Sequence, residues 1–240
     1  MGPIYKPTDR AREYAEFALN IYLFCPHGCK YCYVPALIHK TREAFLTGAP
    51  RRNILLGLQE QLERDKTLSG KEVLLSFLSD PYPPIEEELE ITRQAIKELH
   101  GHGAYVRLLT KSGMRATRDF DLLGKDDWFG VTLTCLTRFL SEQWEPHAAS
   151  PAGRIESLRL AKEANIGTWV SLEPVINPGE SLEIIQRTHA YVDEFKVGKL
   201  NYHPLAATID WQKFVHEAVE LLEKLHCKYY IKADLRKFLE

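Results

Sequence analysis

The sequence predicts an α/β fold, a partial TIM-like (β/α)6 parallel barrel, on two observations. Short apolar, β-branched runs recur along the chain, separated by longer segments with helical periodicity. Six of these runs also lead into polar or sulfur-bearing residues. That placement is expected where the carboxyl ends of parallel strands meet at one mouth of a barrel.

Taken in order, residues 19–24 lead into Cys25, Cys29 and Cys32, and residues 72–78 into Ser79-Asp80-Pro81-Tyr82. Residues 105–110 lead into Lys111-Ser112, and residues 128–135 carry Thr132, Thr134 and Cys135 toward their end. Residues 168–172 precede Glu173-Pro174, residues 195–200 precede Asn201-Tyr202-His203, and residues 229–231 form a last short run. Between them, Ile54, Leu58 and Leu62 share one helical stripe, as do Leu89, Arg93, Ile96 and Leu99. Further stripes run through Ile155-Leu158-Ala161, Ile184-Ile185-Thr188 and Phe214-Ala218-Leu221-Leu225. Strands alternating with helices at this pitch argue for right-handed βαβ units and a parallel sheet. The breaks at 101–103 and 177–179 are single turns, so one domain is expected over residues 1–240. A doubly wound open sheet is the alternative, but no glycine-rich phosphate turn follows the first run.

Composition excludes several classes. Apolar residues make up 45% of the 240 and charged residues 27%, ordinary values for a globular chain rather than a disordered or disulfide-built one. A chain of this length buries roughly three quarters of its unfolded surface. No apolar run approaches the ~18 residues of a membrane span, and the first residues do not read as a secretory signal. No membrane association and a cytoplasmic location are therefore expected. Lys and Arg number 31 against 33 Asp and Glu, without the basic excess of a tight duplex binder.

Three of the five cysteines fall within Cys25-Pro-His-Gly-Cys29-Lys-Tyr-Cys32. In a reducing compartment such a cluster reads as a metal site rather than as disulfides. Structural zinc takes four ligands, often as two Cys-x-x-Cys pairs, and the second pair is missing here. Three thiolates can instead cap three corners of an iron–sulfur cubane and leave one iron open. A zinc knuckle completed by His27 or His39, and a fully capped electron-transfer cluster drawing on a distant cysteine, remain alternatives. Cys135 and Cys227 stand alone and read as packing residues. The acidic stretch 86–90 reads as the charged start of a helix.

The Cys-x3-Cys-x-aromatic-Cys spacing, with Tyr31 as the aromatic, resembles the cluster loop of the radical S-adenosylmethionine (SAM) superfamily. Within it, the chain from about residue 11 to 175 is similar to the spore photoproduct lyase-like group. The resemblance rests on Tyr14-Ala15-Glu16, Ala18-Leu19-Asn20, Cys29-Lys30-Tyr31-Cys32-Tyr33, Ser79-Asp80, Thr110-Lys111, and Glu145-Pro146 leading to Arg154-Ile155-Glu156. It implies a 4Fe–4S cluster on Cys25, Cys29 and Cys32, with SAM chelating the open iron. It also implies Ser79 near the amino end of SAM and Lys111 and Thr134 at its ribose. Asp80 and Glu173 join the cofactor site by their strand-end position, and Tyr31 contributes to its dry shell. The implied chemistry is reductive cleavage of SAM to a 5′-deoxyadenosyl radical, fed by a one-electron donor of flavodoxin or ferredoxin type.

Spore photoproduct lyase carries a hydrogen-returning cysteine two residues before its serine, and Phe77 occupies that position here. Repair of thymine photoproducts is therefore not implied. Tyr33 and Cys135 are the candidates for work on the substrate, Cys135 as a hydrogen-atom source if it opens onto the same mouth. A nucleic-acid base or nucleotide is the substrate expected from the resemblance. A peptide, a small metabolite, or a cluster-bearing sensor that never cleaves SAM are the alternatives.

Overall fold

Val106 and Leu108 of the Tyr-Val-Arg-Leu-Leu-Thr run bury themselves in a large apolar core, whereas Leu109 joins a smaller, separate cluster. This period-two division between two faces is what a strand requires. The computed structural model describes residues 2–240, apart from the side chains of Asp9 and Arg10. Its strands are β1 (Ile4–Tyr5), β2 (Phe17–Leu19), β3 (Glu72–Leu75), β4 (Tyr105–Thr110), β5 (Trp128–Thr132), β6 (Gly167–Val175), β7 (Glu194–Lys199) and β8 (Lys228–Ile231). They form one sheet in chain order, with β1 antiparallel to β2 and every later neighbour parallel. Each parallel crossover carries helix. Ile54–Arg64, Ile91–Gly101, Pro151–Glu163, Pro178–Thr188 and Trp211–Lys224 are the long ones.

The outer face packs against those helices. Val73, Val106, Phe129, Val170, Phe195 and Val197 meet Leu58, Ile96, Leu158, Ile184, Phe214 and Leu222 in one core. Each such side chain contributes about 1.5–3 kcal/mol on burial. The inner face differs, because charged and aromatic residues fill it near the amino ends of the strands. Arg107 lies 4.5 Å from the Trp128 ring and 5.1 Å from the Trp169 ring, paired with Glu72 (2.8 Å) and Glu194 (3.3 Å). Trp169 lies flat on β5, so a Cβ on Gly130 would fall 2.2 Å from its indole nitrogen. This plug closes one end of the barrel and leaves the carboxyl ends of the strands open.

Among the described residues β1 and β8 do not pair, so the barrel is partial. The segment around Glu13 spans the gap instead. Tyr230 Oη and Ala233 N donate to Glu13 Oε1 at 3.0 and 2.8 Å, and Lys196 Nζ donates to the carbonyls of Glu13 and Tyr14.

Three local readings differ from expectation. The first parallel strand ends at Leu19, before most of the predicted 19–24 run. Asn20 ends the ladder: its Oδ1 accepts from Phe77 N (2.8 Å) and Leu78 N (2.7 Å), holding together the loops after β2 and β3. Ile21 and Tyr22 stay buried but follow the chain outward toward Pro50. The two-residue β1 was too short to leave a pattern. Glu86, read as the charged start of a helix, does open one (Glu86–Leu89), but it is fully buried, accepting from Tyr22 Oη and Thr92 N and pairing with Arg118 at 2.6 Å.

Candidate functional site

The cysteine loop begins where β2 has ended, and the chain turns back on itself at Gly28, whose φ of +68° favours glycine. A Cβ there would also sit 3.2–3.3 Å from His147 and Leu46. Arg42 ties the loop from one side, donating to the carbonyls of Cys29, Lys30 and Cys32. From another side His27 Nε2 lies 2.9 Å from Asp80 Oδ2, while its Nδ1 faces the His147 carbonyl at 3.2 Å. Both ring nitrogens of His27 are engaged away from the cysteines, and His39 is exposed. His27 is thereby committed to Asp80 and the His147 carbonyl.

The thiols suit an iron–sulfur centre. Burial pushes the Cys29 thiol up to about 12, and raises Cys25 and Cys32 as well. A metal centre bound here would supply the opposing charge that holds such buried sulfurs as thiolates. Among the described residues no three His, Cys, Asp or Glu side chains are grouped as a single metal ion requires.

Beside the loop opens a cavity of about 670 Å³, within the roughly 300–1,000 Å³ of small-molecule sites. Tyr31, Cys32 and Tyr33 border it from the loop, Lys111 from the end of β4, and Glu173 from β6. Lys111 Nζ sits 5.7 Å above the Tyr31 ring. Burial opposes its charge, but Cys29 and Glu145 outweigh burial and raise it above the ordinary lysine value. Glu173 accepts from the Tyr14 phenol and, at 2.8 Å, from Lys232. Burial, then the Glu173 charge, pushes Tyr14 well above its ordinary value.

The remaining candidates lie off the cavity wall. Ser79 Oγ is buried without a hydrogen-bond partner, as is Ser76 Oγ, which does border the cavity. Two unmet hydroxyls on the loop after β3 are what a bound polar ligand would satisfy. Asp80 is spent on the protein, accepting from Tyr82 N, Thr110 Oγ1 and Lys111 N as well as from His27. Thr134 and Cys135 are wholly buried and contact each other, 3.5 Å from Oγ1 to Sγ. Burial pushes the Cys135 thiol up to about 12.

Residue patterns alone missed Tyr14, Lys199 and Lys232 as cavity residues. Tyr14 lies between β1 and β2, Lys199 is the last residue of β7, and Lys232 directly follows β8, whose end no motif marks. They become neighbours only when the sheet curls.

A family model for the radical SAM superfamily matches residues 19–192. The chain is 29% identical over 167 residues to the uncharacterized protein MJ0683 of Methanocaldococcus jannaschii, covering 68% of this chain and 61% of that protein. It spans about three fifths of the length of the curated relatives it matches. Its fold is similar to a spore photoproduct lyase mutant with bound AdoMet and dinucleoside spore photoproduct (TM-score 0.69, 14% identity, 94% of this chain, 78% of that one). It is also similar to Streptococcus suis SuiB bound to S-adenosylmethionine (TM-score 0.68, 10% identity, 92% and 51%). Family match, curled parallel sheet and desolvated cysteine loop agree: the chain belongs to the radical SAM superfamily, with the 4Fe–4S cluster and S-adenosylmethionine as the cofactors that membership implies.

Proposed function

We propose that this chain is a radical SAM enzyme in which Cys25, Cys29 and Cys32 hold the cluster and the adjoining cavity receives SAM and substrate. The observation that carries the reading is a shared wall: Cys32, Tyr31 and Tyr33 border the same cavity as Lys111 and Glu173. When bound, the cluster and SAM supply one-electron cleavage of the sulfonium and hydrogen abstraction by the 5′-deoxyadenosyl group. The protein's part is to bind, orient and exclude water. Ser76 offers a hydrogen bond to the amino-acid end of SAM from the cavity wall, with Ser79 on the same loop behind it. Lys111 offers a cation beside it, and Thr134, buried behind the wall, supports the ribose side without touching it. Tyr31 covers the cluster, and Asp80 holds its loop. Cys135, buried away from the cavity, is assigned no hydrogen transfer, and Tyr33 is the loop residue facing the substrate. A flavodoxin- or ferredoxin-type protein supplies the electron.

For the substrate, a nucleotide or nucleic-acid base is the reading we favour. Tyr5, Tyr14, Tyr33 and Phe77 border one cavity together with Lys199 and Lys232, whose ammonium groups sit over the Trp211 ring and beside Glu173. An aromatic-rich wall with lysines nearby suits a planar base. The structurally similar lyase is seen with a dinucleoside photoproduct. Phe77 in place of a hydrogen-returning cysteine argues that photoproduct repair is not the reaction here. Anaerobically reconstituted protein given SAM and dithionite should release 5′-deoxyadenosine, faster with the right nucleotide. A fully loaded protein that releases none would overturn the enzymatic reading in favour of a sensing module.

A further inference from the structure

The Glu145–Arg154 pair has no part in the chemistry above, yet it is bound to the cysteine loop. Both side chains are fully buried, with Arg154 Nη2 2.5 Å from Glu145 Oε2. Arg154 also donates to the carbonyl of Thr132 at the end of β5 and to that of Ala149, each at 2.8 Å. The other oxygen of Glu145 accepts from the phenol of Tyr31, which sits between Cys29 and Cys32. Backbone bonds run in parallel: Lys30 N donates to the Trp144 carbonyl (2.9 Å) and His147 N to the His27 carbonyl (3.1 Å). The Tyr31 ring stacks on Trp144 at 6.5 Å. A rigid unit thus runs from β5 through Arg154, Glu145 and Tyr31 to the loop between two of the thiols.

A buried ion pair contributes little net stability, since desolvation cancels most of its attraction. Such a pair is better suited to fixing position and local charge. Outer groups of this kind orient ligands, and both nearby charge and hydrogen bonding move cluster potentials.

We propose that Glu145 and Arg154 are positioning residues for the cluster. Acting through Tyr31, they hold the cysteine loop against β5 and balance the charge beside the iron–sulfur centre. The proposal rests on the cluster assignment to Cys25, Cys29 and Cys32.

The test is an EPR-monitored redox titration of the reconstituted full chain without SAM, alongside iron content and circular dichroism. Glu145→Gln leaves the Arg154 cation uncompensated, which favours the reduced cluster, so the midpoint potential should rise. Arg154→Met leaves only Lys111 to offset the carboxylate, so it should fall. The double variant, with both charges gone, should return toward the wild-type value. Loss of a merely structural contact would not give shifts of opposite sign. Should the charge variants fail to fold, Tyr31→Phe keeps the ion pair and removes only the phenol's hydrogen bond. Its cluster should then show a shifted potential and lose iron faster to a chelator. Folded variants that load iron fully and titrate at the wild-type potential would overturn the proposal. A wild-type chain that takes up no iron would instead overturn the cluster assignment beneath it.

Discussion

His27, inside the cysteine loop, and Asp80, just beyond β3, face each other at 2.9 Å with both side chains almost wholly buried. The contact joins the loop after one strand to the loop after the next. Asp80 in turn collects Thr110 Oγ1 and Lys111 N from the end of β4. Three adjacent strand ends are thereby fastened to one carboxylate, and the loop carrying the thiols is held by the sheet itself.

Asp80 should therefore control both folding stability and iron loading. Breaking a buried pair from one side costs about 3–5 kcal/mol, so Asp80→Ala should melt markedly earlier and reconstitute with less iron. Burial raises the Asp80 carboxyl, but the His27 ring and backbone donors outweigh it and hold the group below the ordinary carboxylate range. A depressed carboxyl stabilises the fold above its unfolded value near ~3.9, and that contribution is lost as the pH falls toward the folded value. Denaturation at pH 7, 5, 4 and 3 should show the gap between wild type and Asp80→Asn constant at first, then narrowing below about pH 4. A gap that does not change across the series would contradict the assignment.

Lys196 gives the same sign of pH dependence for the opposite reason, its neutral form being the one the fold favours. Burial, then the nearby Arg107 charge, lowers its ammonium to about 8. The folded state thus disfavours the protonated form, a penalty present below that pH and relieved as pH rises toward the unfolded value near ~10.4. The stability of wild type relative to Lys196→Met should climb between pH 8 and 10, by at most about 1.4 kcal/mol per unit. Equal denaturation midpoints at both pH values would show that Lys196 is not so constrained.

Gly130 tests the plug. A methyl group there would collide with the Trp169 indole, 2.2 Å from its nitrogen. Gly130→Ala should cost about 1–3 kcal/mol of stability, visible as an earlier thermal transition, with the Trp169 near-ultraviolet signal altered. An unchanged melting curve would mean that the ring has room to move.

Much of this was legible in the residues, and what was not has physical causes. The alternation of strands and helices, the thiol spacing and the polar strand ends are local patterns that any reader of the chain can find. The register at which β2 stops is not local, because it depends on Asn20 reaching Phe77 and Leu78, 57 and 58 residues away. Asp80 stood at a strand end and so read as a cofactor contact, yet its oxygens are taken up by the protein. Only the fold shows which polar strand-end groups face the cavity and which face one another. Glu145 and Arg154 were visible as part of a family resemblance without a role, since nothing in a linear motif reveals that a carboxylate meets the phenol of Tyr31.

Lys111 is the cation placed beside both the thiols and the cavity. Lys111→Ala should weaken SAM binding to the loaded protein by at least about tenfold, equivalent to roughly 1.4 kcal/mol, as read by calorimetry. Unchanged affinity would remove it from the cofactor site.

With Cys25, Cys29 and Cys32 as the proposed ligands, one iron of a cubane is left open to SAM. EPR of the reduced, oxygen-free protein tests it directly. Wild type should give a 4Fe–4S signal whose g-values move when SAM is added, and the Cys25→Ala, Cys29→Ala and Cys32→Ala variants should lack it. A signal indifferent to SAM, or a protein that binds zinc with no cluster at all, would contradict it.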